Sequence, residues 1–180
     1  MDLYKQSRVG IARGASDAAR HGRRSFVAVV VGLSGLVGWT AVASAAPSTG
    51  TEHVRIVTTS LNGPGSIIAR GVFNAGGTDY PGGHTDLASF SNGAFSIHHH
   101  GASTGQVNPK TCVLELTGSG KFNLNHGYGA YSGLTGSGTY TFKAIGTFPR
   151  NPNGTCDISG AVQPTTFQET IVANGSVSFR

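Results

Sequence analysis

Leu116-Thr117-Gly118-Ser119-Gly120-Lys121-Phe122-Asn123-Leu124 returns eighteen residues later as Leu134-Thr135-Gly136-Ser137-Gly138-Thr139-Tyr140-Thr141-Phe142. In each copy a Gly-Ser-Gly leads into a run with an apolar side chain at every second position. That is the period of a β-strand, in which successive side chains point to opposite faces. Glycine inside a strand permits a sharp bend or a close approach of another backbone, as the corners of a barrel require. Both copies therefore read as strands under one bending constraint. Two copies are too few for a solenoid, which needs at least three stacked repeats.

The same pattern extends along the chain from residue 46 onward. Short alternating runs occur at 53–61, 66–73, 86–90, 94–100, 111–117, 121–125, 139–148, 166–173 and 176–179. Gly63-Pro64-Gly65 marks a turn, and Asn153-Gly154 and Asn174-Gly175 are two-residue hairpin signals, because both residues tolerate positive φ. Glycine is abundant, with 22 of 28 after residue 45, and no segment repeats apolar residues at helical spacing over three turns. Eight or nine strands in about 135 residues, joined by short loops, predict an all-β domain, an antiparallel barrel or sandwich, of which the single antiparallel β-barrel is the reading that the resemblance below implies.

The hairpin between the two copies, His126-Gly127-Tyr128-Gly129-Ala130-Tyr131-Ser132-Gly133-Leu134-Thr135-Gly136-Ser137-Gly138-Thr139-Tyr140, resembles the Gly-x-Gly-x-Tyr-x-Gly-x-x-Gly-x-Gly-x-Tyr hairpin of bacterial proteins similar to allene oxide cyclases and plant dirigent proteins. The likeness spans about 30 residues with its flanking strands. It implies an eight-stranded, lipocalin-sized barrel whose interior can hold one apolar molecule. It carries over no catalytic residue, since no functional side chain aligns position by position. The glycines at 127–133 are not a phosphate cradle: the spacing has one residue too many, and no helix follows to supply its dipole.

Residues 1–45 read as a helical signal peptide and 46–180 as the barrel domain. The leader opens with a polar stretch carrying Lys5, Arg8, Arg13, Arg20, Arg23 and Arg24. An uncharged run, 25–46, follows, and Ala43-Ser44-Ala45 supplies small residues for cleavage. Uncleaved, that run is long enough to cross a bilayer, so a membrane enters the reading only as an anchor. Arg23-Arg24-Ser25-Phe26-Val27 resembles the twin-arginine export motif, with Gly22 where Ser or Thr is usual; twin-arginine and Sec export both remain open. Either route predicts a secreted or cell-envelope protein.

The leader also distorts the charge. The chain carries 13 Lys and Arg and 8 Asp and Glu, but residues 46–180 hold 7 and 6, a net of +1. No basic patch remains there, which removes the electrostatic case for a nucleic-acid partner. Two cysteines, Cys112 and Cys156, complete the inventory. An even count in an exported chain favours a disulfide over free thiols.

Parity singles out the candidate site. Phe95, Ile97 and His99 share one face of a strand. Tyr140 and Phe142 share a face of a second, and Phe167, Glu169 and Ile171 a face of a third. Facing outward, these apolar side chains would make a large patch, which a soluble monomer avoids. They are therefore predicted to be buried inside, with His99 and Glu169 beside them. A carboxyl and an imidazole in one cavity can orient a polar ligand group or move a proton. The ligand-binding candidates are thus His99, Glu169, Tyr140, Phe142 and Phe167. A one-residue slip of register would put the polar pair in solvent instead. The run His98-His99-His100 offers an alternative, a metal site built on His98 and His100 with His84 and Asp86; no carboxylate follows the histidines, and no cofactor is expected.

These features predict an exported barrel that binds a small apolar molecule or an envelope partner without catalysis. Two alternatives stand beside it: a barrel that steers a cyclisation or isomerisation, as the family resemblance implies, and a histidine-based metal-binding module.

Overall fold

The computed structural model describes residues 48–160 and 162–180. The expected signal peptide, with its helix and cleavage site, falls outside the described residues. Eight strands form a closed antiparallel barrel in sequence order: β1 Thr49–Thr58, β2 Gly65–Gly71, β3 Ala75–Tyr80, β4 Thr85–Phe90, β5 Gly93–Val107, β6 Val113–Gly129, β7 Leu134–Thr147 and β8 Thr166–Phe179. Each strand pairs with its neighbours in the chain, and β8 closes on β1 from Thr49↔Ser178 to Thr58↔Glu169.

Every strand runs between the same two ends. At one end lie the turns after β2, β4 and β6 together with the start of β1 and the end of β8. This end is plugged. Phe73 stands edge-on to Phe90, Phe95, Tyr131 and Phe179, with ring centroids 5.1–6.4 Å apart. Leu134 and Val177, each 2% exposed, pack in the same cluster. Burying side chains of this size contributes roughly 1.5–3 kcal/mol each, and edge-to-face ring pairs add about 0.5–1.5 kcal/mol. The plug also covers Glu52, 2% exposed, whose Oε2 accepts a hydrogen bond from the Phe73 amide at 3.2 Å. The turn that carries Phe73 is thereby tied to β1.

The other end is uneven. β2, β3 and β4 are six or seven residues long, whereas β5 to β8 have 14 to 17. The long strands project past the short ones and form one tall wall. Their inward side chains there are half-buried rather than buried. Of the six apolar residues predicted to be buried, Phe95 is 1% exposed, while Ile97, Tyr140, Phe142, Phe167 and Ile171 keep partial exposure on the inner face. The parity is as expected; full burial is not reached, because no short strand faces the wall at that height.

Three expectations about individual strands change. Run 111–117, which starts as strand only at Val113, and run 121–125 are one strand, β6, and runs 166–173 and 176–179 are one strand, β8. Asn174-Gly175 is therefore not a hairpin turn: Asn174 pairs with Thr139 and His53, and Gly175 with Gly138. Asn153-Gly154 does turn, with Gly154 at φ 84°, but inside the long β7–β8 connection. β3 has no counterpart among the alternating runs, because Ala75-Gly76-Gly77-Thr78 offers no apolar alternation.

The repeated segments explain themselves in register. Leu116 pairs with Ala144, Gly118 with Phe142, Gly120 with Tyr140, Phe122 with Gly138, and Leu124 with Gly136. Each copy's glycine pair lies opposite the other copy's large side chains. A Cβ on Gly120 would come within 2.7 Å of the Tyr140 ring, and one on Gly138 or Gly175 within 2.8 Å of Phe122. Antiparallel pairing thus turns a repeated pattern into a complementary one. The rings lie over glycine on the neighbouring strand, against the wall.

The disulfide forms as expected. Cys112 and Cys156 are bonded, with Cα atoms 5.3 Å apart, and join the β5–β6 turn to the β7–β8 connection at the tall end. There are no free cysteines among the described residues.

Candidate functional site

The interior near the open end is polar at four places. Asp79 comes from β3, Asp86 from β4, His99 from β5 and Glu169 from β8. The register sets them all on the inner face. Asp86 pairs with Ile97 and alternates with Ala88 and Phe90, both buried. Asp79 pairs with Ala88 and with Gly65. Glu169 pairs with Ala144 and with Thr58.

His99 and Asp86 are in direct contact, Nε2 to Oδ2 at 3.2 Å. That hydrogen bond, together with the acidic groups around it, holds the imidazole above its ordinary pKa against the opposing effect of burial. Asp79 is 4% exposed, and its Oδ1 is buried without a hydrogen-bond partner among the described residues. Burial first, and then the neighbouring Asp86, push its carboxyl from an ordinary 3.8 to about 7. Glu169 is raised for the same two reasons. The Tyr140 ring stands 6.0 Å from that of His99, nearly perpendicular.

The half-buried side chains of Ile97, Tyr140, Phe142, Phe167 and Ile171 and the partly exposed Leu114 and Leu116 share this inner face. The inner face thus carries an aromatic base, an apolar wall on the long-strand side, and acid groups with one imidazole between them. Chemically it offers apolar contact for the body of a molecule and hydrogen-bond acceptors and donors for a polar end. Two shallow depressions of about 230 and 260 Å³ lie at the extended strand ends. The second of these includes Phe167, and neither reaches the acid groups.

The residues singled out from the sequence fall into place as follows. His99, Glu169, Tyr140, Phe142 and Phe167 all face inward. The alternative metal set is divided between two faces. Asp86 turns in, whereas His98 turns out, its Nδ1 2.8 Å from the Thr85 hydroxyl; His100 is also outside, and His84 sits exposed in the β3–β4 turn. Among the described residues, no group of three or more His, Cys, Asp or Glu side chains could hold a metal ion.

Sequence reasoning missed Asp79 and placed Asp86 only in the metal set. Asp86 carried a usable signal, since it shares parity with Ala88 and Phe90. Asp79 carried none, because its strand is not apolar. No family model, no curated protein and no solved structure matches the chain.

Proposed function

We propose that this is an exported, non-catalytic binding protein whose cup receives one small, largely apolar molecule with its polar end against Asp79, Asp86, His99 and Glu169. The observation that carries the reading is the combination on one inner face: half-buried apolar side chains at the open end, and titratable groups beyond them. A core serving stability alone would exclude such groups, since a buried carboxyl without partners is costly. The disulfide suits the oxidising compartment that export implies.

Native mass spectrometry of the protein purified without detergent tests this directly. A ligand should add a discrete mass that Ile171→Trp, which fills the cup, abolishes while the circular dichroism of the barrel is kept. An adduct that survives this substitution would place the ligand elsewhere and remove the reading.

A second reading is a barrel that steers an isomerisation or cyclisation. It is favoured by one feature, an Asp79 carboxyl near neutrality beside the His99–Asp86 pair, since general acids and bases work best with pKa values close to the operating pH.

A further inference from the structure

The charges of the barrel are sorted by side. All seven Lys and Arg among the described residues (Arg55, Arg70, Lys110, Lys121, Lys143, Arg150 and Arg180) are exposed. Of the six Asp and Glu, only Glu115 and Asp157 lie outside; Glu52, Asp79, Asp86 and Glu169 face the interior. The acid groups at the open end thus have one potential cation among them, His99, and it is already engaged by Asp86. Asp79 presents a buried oxygen with no partner. An anionic head group would meet three carboxyls and neither lysine nor arginine. A neutral hydroxyl would satisfy one oxygen. A cationic head that donates several hydrogen bonds answers both the charge and the unpartnered oxygen, and charge-assisted hydrogen bonds are about twice as strong as neutral ones. A bare metal ion is not the complement, since among the described residues no three His, Cys, Asp or Glu side chains could hold one.

We propose that the cup selects its ligand by a positively charged head: an aliphatic or aromatic body ending in a protonated amine, with the ammonium group between Asp79 and Glu169. The assignment rests on the pocket reading above and adds the chemical class of ligand to it.

The groups facing this position fix the pH dependence. Asp86 comes from β4, His99 from β5, Tyr140 from β7 and Glu169 from β8; β1 contributes Thr58, β2 Gly65, and β6 Gly120 and Phe122, none charged. Raising the pH from 6 to 8 ionises Asp79, and that change favours a bound cation. Amine affinity therefore rises over that interval.

Isothermal titration with decylamine, decanol and decanoate, all below their aggregation concentrations, separates the possibilities. At pH 7.5 decylamine should bind at least about tenfold more tightly than decanol, and decanoate more weakly than either. Asp79→Asn, or Glu169→Gln should the first variant fail to fold, should remove most of the preference for the amine over the alcohol. Glu115→Gln, on the outer surface, should change nothing. Equal binding of decanol and decylamine, with both shifting the nuclear magnetic resonances of Phe142 and Ile171, would overturn charge selection and leave the pocket standing. If no probe shifts an inward-facing resonance, pocket and selection fall together. An equal loss of amine affinity in Glu115→Gln would mean attraction to the surface and overturn the proposal.

Discussion

Asp79 shows how much one side chain can set. Its folded pKa is near 7, against an ordinary value of 3.8. A raised carboxyl pKa means that the folded state holds the proton more tightly than the unfolded chain does. The associated stability is complete below the unfolded value and is lost as the pH climbs through the folded one. Every tenfold gain in proton affinity on folding corresponds to about 1.4 kcal/mol. Asp79→Asn should therefore flatten the loss of stability between pH 5 and 8 and make the barrel more stable than the parent at pH 8, by roughly 1–3 kcal/mol. Urea unfolding at the two pH values measures this; an unchanged slope would mean that Asp79 is well solvated. His99 moves in the same sense, because its raised pKa also binds a proton in the folded state, whereas a histidine without its Asp86 partner would titrate lower.

At the scale of elements, the pairing of β6 with β7 makes the glycines of each strand answer to the rings of the other. A Cβ on Gly118 would run into the Phe142 ring, and its nearest backbone neighbour is the Ala102 carbonyl oxygen at 2.6 Å. Gly118→Ala should cost about 1–3 kcal/mol, as overpacking does. It should cost at least about 0.5 kcal/mol less in a Phe142→Ala background, the part due to the ring. A double-mutant cycle by urea denaturation checks the coupling, and strict additivity would mean that the carbonyl contact accounts for the whole effect.

These strands also show what the sequence reveals and what it hides. Parity in Phe95-Ile97-His99 and Phe167-Glu169-Ile171 was legible because alternation survives without knowledge of partners. The continuity of β6 and β8 was not. Gly118-Ser119-Gly120 and Asn174-Gly175 are turn chemistry locally, and only an aromatic ring arriving from a neighbouring strand makes them strand interior. β3 was hidden for a related reason: it is held by pairing with its two neighbours, not by an apolar pattern of its own. The site was half legible, since its imidazole and Glu169 lie on apolar strands and its most buried acid does not.

For the whole molecule, the perturbed interior acids all move in one direction. Glu52, Asp79 and Glu169 are raised by burial, as His99 is by its hydrogen bond. By the same linkage the barrel as a unit should grow more stable as the pH falls from 8 to 5, opposite to proteins whose carboxyls are held by salt bridges. Thermal unfolding across that range should show a rising midpoint on acidification, and a falling one would refute the common direction. The disulfide acts at this scale too. Its cysteines are 44 positions apart, and closing a loop of that length stabilises by about 4 kcal/mol in the chain-entropy model. Reduction, or Cys112→Ala with Cys156→Ala, should lower the unfolding free energy by about that amount. Export predicts a chain beginning at Ala46 in culture fluid, read by mass spectrometry; full-length protein held only in membranes would point to the anchor.

The seam between β1 and β8 has a consequence for the order in which the chain is made. β2 through β7 can each pair with the strand before, but β1 waits for residues 166–180 to be covered on its open side. Until they emerge from the ribosome, β1 and β7 are two bare edges with unpaired amides and carbonyls, which recruit other strands. A chain stopped at residue 165 should therefore assemble with its own copies into sedimenting particles, while the chain that includes β8, its edges used up on each other, stays apart.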